Sequence, residues 1–169
     1  MKPLAKSRDG LEGLPLQLII TAIILAITVP MMFGALRNYD RSMTRQNLVE
    51  EIDDFAAGVQ NLFMMGPGNS QTFEFTASGS AFCRPEQIMF GDNPTGEFQS
   101  VIRFRISGMA EEYRVIQSPN VPMMNIENET LEILSGTHMI IAECRTSQLD
   151  LNGDGHMPDN YMLLSVSET

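Results

Sequence analysis

The stretch KSRDGLEGLPLQLIITAIILAITVPMMFGALRNYD, residues 6–40, decides how this chain is built. A short charged leader precedes 23 residues, 14–36, that have no ionisable side chain. As a helix this run would be about 34 Å long at ~1.5 Å per residue, against a bilayer hydrocarbon core of ~30 Å. It also exceeds the ~7–15 apolar residues of a cleaved secretory signal. We therefore expect a membrane span that stays on the chain.

A second helical pattern follows the apolar run directly. Apolar side chains recur every three or four residues, acidic ones fill the other face, and GPG at 66–68 predicts the end of the helix. We expect an amphipathic stalk helix over 37–66 that packs on a head domain by its apolar stripe. The residues of this stripe are Val49, Ile52, Phe55, Ala56, Val59, Leu62 and Phe63.

The rest of the chain changes to a period of two. In SVIRFRISG, for example, Ile102, Phe104 and Ile106 share one face and Arg103 and Arg105 the other. Six or seven such short segments, separated by Gly, Pro, Asn and Ser, predict an antiparallel β-rich, sandwich-like domain over 67–169. The predicted fold class is thus α+β, with the membrane helix continuing into the stalk helix and the β-rich head after it.

The net charge and the absence of common catalytic motifs limit the classes of function that we expect. The net charge is −10, and a chain that began at Leu11 would carry −12. Such an acidic chain repels phosphate backbones, so we expect no nucleic-acid partner. The sequence has none of the common hydrolase, nucleotide or zinc motifs, and its two histidines, His138 and His156, have no evident triad partners. We expect no enzymatic activity and no required cofactor, although calcium remains open.

The leader suggests a family. A basic leader, then Gly10, two residues, Gly13 and a long apolar helix resemble archaeal prepilins and archaellins with a class III signal peptide. The resemblance implies that a prepilin-type peptidase cuts between Gly10 and Leu11 on the cytoplasmic side, leaving Gly13 as the third mature residue. It also implies that the helix first anchors the subunit and later packs in a filament core. Asp9 departs from the family pattern, in which basic residues directly precede the cut.

Two functional hypotheses follow. One is a pilin-like structural subunit, major or minor, of an archaeal type IV pilus-like filament, which assembles with itself or with other pilin-like subunits. The other is a single-pass anchored accessory or binding protein that does not polymerise. Both divide the chain into a cytoplasmic leader over 1–10, a membrane or assembly helix over 11–36, the stalk over 37–66 and an extracellular head. Both hypotheses place the protein in the cell membrane. The pilin-like hypothesis further predicts that it occurs in a surface filament.

Two features are typical of an extracellular head. Cys83 and Cys144 are the only cysteines, and beyond a membrane span they predict a disulfide, with two buried free thiols as the alternative. Asn128 begins the tripeptide NET, an N-glycosylation sequon.

The segment DLNGDGHMPDN, residues 150–160, matches the first half of a calcium loop. Oxygen ligands at positions 1, 3 and 5 converge on one point, and a glycine at position 6 permits the sharp turn. Tyr161 stands where an EF-hand has its bidentate glutamate, so a polar hairpin turn is the alternative. The candidate calcium ligands are Asp150, Asn152, Asp154, the carbonyl of His156, and Asp159.

Overall fold

The computed structural model describes residues 9–148, 151 and 159–167, the first seven of these by their backbone alone. The chain divides into two compact units, Met1–Tyr39 and Asp40–Thr169. One helix, α1 (Asp9–Met65), runs through both units and ends one residue before Gly66, as the GPG motif predicts. The α+β class expected from the sequence is therefore present.

The second unit contains eight strands among the described residues. They form two four-stranded sheets, with the orders β1-β7-β8-β5 and β4-β3-β2-β6. The strands are β1 (Ser70–Ala77), β2 (Pro85–Phe90), β3 (Val101–Ile106), β4 (Glu112–Val115), β5 (Met123–Asn125), β6 (Leu131–Ile133), β7 (Gly136–Ser147) and β8 (Asp159–Ser167).

The sheets differ from the expected antiparallel arrangement in one place. β5 pairs with β8 in parallel, with Met123 opposite Met162, whereas every other described pair is antiparallel. A parallel pair needs a long crossover rather than a tight turn. Here the chain between the two strands supplies β6 and β7, so the crossover leaves one sheet, adds a strand to the other and returns.

The predicted alternation in β3 is confirmed. Ile102, Phe104 and Ile106 are buried, whereas Arg103 and Arg105 on the opposite face are not. Inward side chains of both sheets meet in one hydrophobic core. A strand such as β3 therefore has one face buried in this core and the other face towards solvent.

The second half of α1 belongs to the same core. Leu48, Ile52, Phe55, Val59 and Leu62 are buried, and Val49, Ala56 and Phe63 pack against them, so the predicted apolar stripe is confirmed. The ring of Phe55 makes edge contacts with Phe73, Phe75 and Phe90, at centroid distances of 5.3, 5.8 and 5.0 Å.

Polar side chains of α1 bond to an edge strand of each sheet. Glu51 accepts a hydrogen bond from the backbone N–H of Thr76 in β1, at 2.8 Å. On the other side, Asp53 pairs with Arg114 in β4 at 2.8 Å and Arg45 pairs with Glu112 at 2.6 Å. Side chains of the helix therefore join it to one edge strand of each sheet.

Candidate functional site

The first feature that calls for a function is the apolar part of α1. Its large side chains between Leu16 and Leu36 are all exposed, from 42 % at Val29 to 70 % at Leu18 and Met31. The helix is long and apolar enough to cross a membrane by length and composition, and none of its most apolar window is buried within the chain. An exposed apolar surface of this extent on a folded protein marks a contact with lipid or with another protein.

The two threonine hydroxyls within this segment are satisfied by the helix itself. The Thr21 hydroxyl donates to the carbonyl of Gln17 at 2.8 Å, and the Thr28 hydroxyl donates to that of Ile24 at 2.9 Å. Such bonds to the preceding turn leave neither hydroxyl in need of water. The segment is thus suited to an apolar surrounding at its threonines as well as at its leucines and isoleucines.

The predicted processing residues lie at the start of the same helix. Gly10, Leu11 and Gly13 are in its first two turns, where the structure describes the backbone and not the side chains. Cleavage between Gly10 and Leu11 stays a prediction.

A junction of polar groups follows the apolar segment. The Asp40 carboxylate in α1 accepts hydrogen bonds from the Ser80 hydroxyl, at 2.5 Å, and from the backbone N–H of Phe82, at 2.9 Å. The buried Thr44 hydroxyl donates to Ser80 at 3.2 Å. These three bonds attach the β1–β2 loop, residues 78–84, to the helix four to eight residues after Leu36.

The predicted disulfide is not formed in the structure. Cys83 and Cys144 are separate buried thiols, and burial raises the pKa of both. Cys83 lies in the β1–β2 loop beside Thr44, whereas the backbone of Cys144 bonds to Asn69, just after the end of α1. The helix between Thr44 and Met65 rises about 31 Å, and a disulfide requires Cα atoms within roughly 7 Å.

The candidate glycosylation site lies in the turn between β5 and β6. Asn128 is exposed and has a positive φ of 62°. The side chain of Asn125 shapes this turn, because its oxygen accepts the N–H groups of Glu127 and Glu129 at 2.8 and 2.9 Å. The turn thus presents Asn128 to solvent, which a glycosylation site requires.

Of the predicted calcium ligands, only Asp159 is among the described residues. Asp150, Asn152, Asp154 and His156 lie outside them. Asp159 is buried at the start of β8, and its carboxylate accepts the Leu151 N–H at 2.6 Å. This hydrogen bond joins Leu151 to Asp159 near the two ends of segment 150–160, and it needs no metal. Calcium binding stays a prediction.

The surface of the head has shallow open grooves. One of about 490 Å³ is lined by acidic and amide side chains, among them Asp92, Glu127 and Glu132. Over residues 9–148, 151 and 159–167, no three His, Cys, Asp or Glu side chains are grouped closely enough to hold a metal ion. The most distinctive surface of the described chain is therefore the apolar helix and not a groove.

Sequence reasoning missed the Asp40 junction. A charged residue shortly after an apolar run signals the end of a span, but nothing in the sequence indicates that the partners of Asp40 lie 40 and 42 residues further on.

In comparisons with known proteins, no protein-family model matches the chain, and no curated protein or solved structure is found to be similar to it.

Proposed function

We propose that this protein is a membrane-anchored, pilin-like structural subunit of an archaeal type IV pilus-like filament, with its head outside the cell. One observation carries the proposal. A single helix has an exposed apolar first part and a second part that is built into the core of the head. The exposed part needs an apolar environment, and the rest of the helix belongs to a folded domain.

The apolar segment has two uses in this proposal. In the bilayer its side chains are solvated by lipid, and its backbone groups are satisfied within the helix. In a filament the same side chains pack against helices of neighbouring subunits. Gly34 supports close packing, because a position without a side chain lets neighbouring helices approach each other closely, and the helix surface is open at that point.

Removal of the leader distinguishes a filament subunit from an anchored protein. A prepilin-type peptidase would cut between Gly10 and Leu11 and free the apolar helix to leave the membrane. The resemblance of the leader to class III signal peptides supports this step. The acidic head, with nineteen acidic and seven basic side chains over residues 40–169, would keep the outer surface of the filament soluble.

The test is the intact mass and N-terminal sequence of the native protein, from membranes and from sheared surface material. We expect a chain that starts at Leu11 and is released with filaments. A Gly10→Val variant should keep its leader and stay in the membrane fraction. Gly34→Val, the same change inside the apolar segment, should still be cut.

The opposite result has a definite meaning. A wild-type chain that starts at Met1 or Lys2 and occurs only in membranes would exclude the processed subunit. The anchored accessory or binding protein would then be the better description. The same mass, measured without reductant, would show whether Cys83 and Cys144 are free.

A further inference from the structure

The β1–β2 loop, residues 78–84, carries an exposed aromatic side chain that the core does not use. Phe82 is 52 % exposed, although its own backbone N–H is fixed by Asp40 at 2.9 Å. The neighbouring Cys83 is buried, so the loop is anchored on one side of the Phe82 ring while the ring itself faces solvent. A rigidly held, outward-facing phenylalanine is suited to insertion into an apolar surface.

The same end of the head holds arginines without carboxylate partners. Four arginines of the head, at positions 45, 105, 114 and 145, form ion pairs. Arg103 instead stacks on the ring of Phe98, at 4.6 Å. In the part of the chain that the structure describes, Arg41 and Arg84 have no carboxylate oxygen within 4.0 Å. Arg84 belongs to the loop, and Arg41 follows Asp40.

Chain length keeps this end of the head close to the apolar segment. Asp40, which holds the loop, is four residues beyond Leu36. Four residues in any backbone conformation span at most about 14 Å. If the apolar segment spans a bilayer, the loop therefore lies near the lipid head groups.

We propose that the β1–β2 loop is a membrane-interface contact of the anchored protein. Phe82 would insert at the boundary between head groups and acyl chains, and Arg41 and Arg84 would bind the phosphates of anionic lipids. Phenylalanine is among the apolar side chains that interfacial segments bury at the boundary between head groups and acyl chains. The inference rests on the membrane anchoring proposed above and not on polymerisation.

The charge distribution of the head determines which end would face anionic lipids. The head carries a net charge of −12 over residues 40–169, so an anionic lipid surface repels most of it. The two unpaired arginines beside the loop are the exception. They would hold this end of the head against the lipids while the acidic remainder points away.

The chain contains no tryptophan, so one introduced tryptophan reports on a single site. We would place full-length Phe82→Trp in vesicles of phosphatidylcholine and phosphatidylglycerol, 3:1, with bromines at defined depths on the acyl chains. Ile24→Trp, in the middle of the apolar segment, reports on the span. Ile126→Trp is the matched control, because Ile126 is 71 % exposed in the β5–β6 turn. That turn lies beyond the far end of β2, about 17 Å along the strand from Pro85.

We expect the Phe82→Trp emission to be blue-shifted and quenched most by bromines near the head groups. Ile24→Trp should be quenched most by bromines near the bilayer centre, and Ile126→Trp should not be quenched. Adding Arg84→Gln to Phe82→Trp should reduce the quenching in these anionic vesicles. In vesicles of phosphatidylcholine alone, the Arg84→Gln change should have a smaller effect.

Each contrary result has its own meaning. Quenching of Ile24→Trp without quenching of Phe82→Trp would overturn the interface contact and leave the anchor in place. Absence of quenching at Ile24→Trp would overturn the anchor and, with it, the contact. Equal quenching of Phe82→Trp and Ile126→Trp would show that the head meets lipid without using the loop, which also overturns the inference.

Discussion

At Gly91 the backbone that follows β2 lies close against the backbone of β5 in the other sheet. Gly91 has a φ of +67°, and a Cβ there would lie 1.9 Å from the carbonyl oxygen of Met123 in β5. Gly66 has a similar φ of +88°, but a Cβ there would meet nothing within 4 Å. Substitutions at Gly66 and Gly91 therefore distinguish two effects on the free energy of unfolding, that of a left-handed backbone and that of a steric clash.

We expect Gly66→Ala to lower the free energy of unfolding by about 1 kcal/mol, from backbone strain alone. Gly91→Ala should cost about 3 kcal/mol or more, because the backbone of β5 has to move as well. Thermal unfolding of the full chain in detergent measures both. Equal losses for the two variants would show that β5 yields easily and that the close approach is unimportant.

The Arg45–Glu112 pair gives a pH dependence. Hydrogen bonds from Arg45 lower the pKa of the Glu112 carboxyl below its ordinary value of 4.5. A lowered pKa in the folded state stabilises the fold above the unfolded pKa, and this stabilisation is lost as the pH falls through the folded value. Because both side chains are partly exposed, we expect Arg45→Met to cost only about 0.2–1 kcal/mol at pH 7.

The same variant should differ less from the wild type as the pH falls through the lowered pKa of Glu112, because the carboxyl is then protonated in both. The measurement is the midpoint of denaturant unfolding at pH 7 and pH 3. A difference that is constant with pH would assign the effect of Arg45 to packing and not to its charge.

The two thiols give a third prediction at this scale. Since Cys83 and Cys144 are buried and burial raises the pKa of each, we expect both to react slowly with an alkylating reagent in the native protein. After denaturation without reductant, mass spectrometry should show two adducts. A chain that takes up no adduct until it is reduced would have the disulfide that the structure lacks.

At the scale of elements, Phe55 joins α1 to both sheets. It contacts Phe73 and Phe75 of β1 and Phe90 of β2, and is 3 % exposed. We expect Phe55→Ala to cost about 3–5 kcal/mol, because the three rings lose their common neighbour and a cavity remains. Met64→Ala, on the same helix at an exposed position, should change stability by less than about 0.5 kcal/mol. Similar losses for both variants would contradict the packing of this face.

The sequence predicts long periodic elements better than short ones. The apolar stripe of α1 and the alternation of β3 are confirmed because burial repeats over several turns or residues. β2 and β5 have no such regular pattern. β2 begins with Pro85 and alternates clearly only at its end, while β5 has only three residues, of which Met123 and Met124 are both buried. Their places depend on partners distant in the chain, which no local pattern encodes.

The candidate site shows the same limit. The apolar segment was predictable, because 23 uncharged residues need no partner to be recognised. The junction of Asp40 with Ser80 and the separation of the two cysteines both depend on which loop meets which end of α1. That arrangement is set by the core as a whole.

At the scale of the whole molecule, the buried core lies entirely within one of the two units. All buried hydrophobic side chains of the described residues fall between Leu48 and Leu164. We therefore expect a chain that begins at Asp40 to fold in water as a soluble domain, whereas the full chain should require lipid or detergent. Circular dichroism and gel filtration of both would test this. A shortened chain without β structure would show that the apolar segment is needed for the head to fold.

The position of β8 sets the time at which the head folds. β8 comes last among the described strands, yet it lies inside its sheet, between β7 and β5. While the chain is being synthesised, β7 can pair with β1, but β5 has no strand partner in its sheet until residues 159–167 have emerged from the ribosome. The apolar segment, residues 14–36, emerges far earlier. It is therefore available for contact with lipid or with another protein while the head is still an unfolded chain, and the head completes its fold only afterwards.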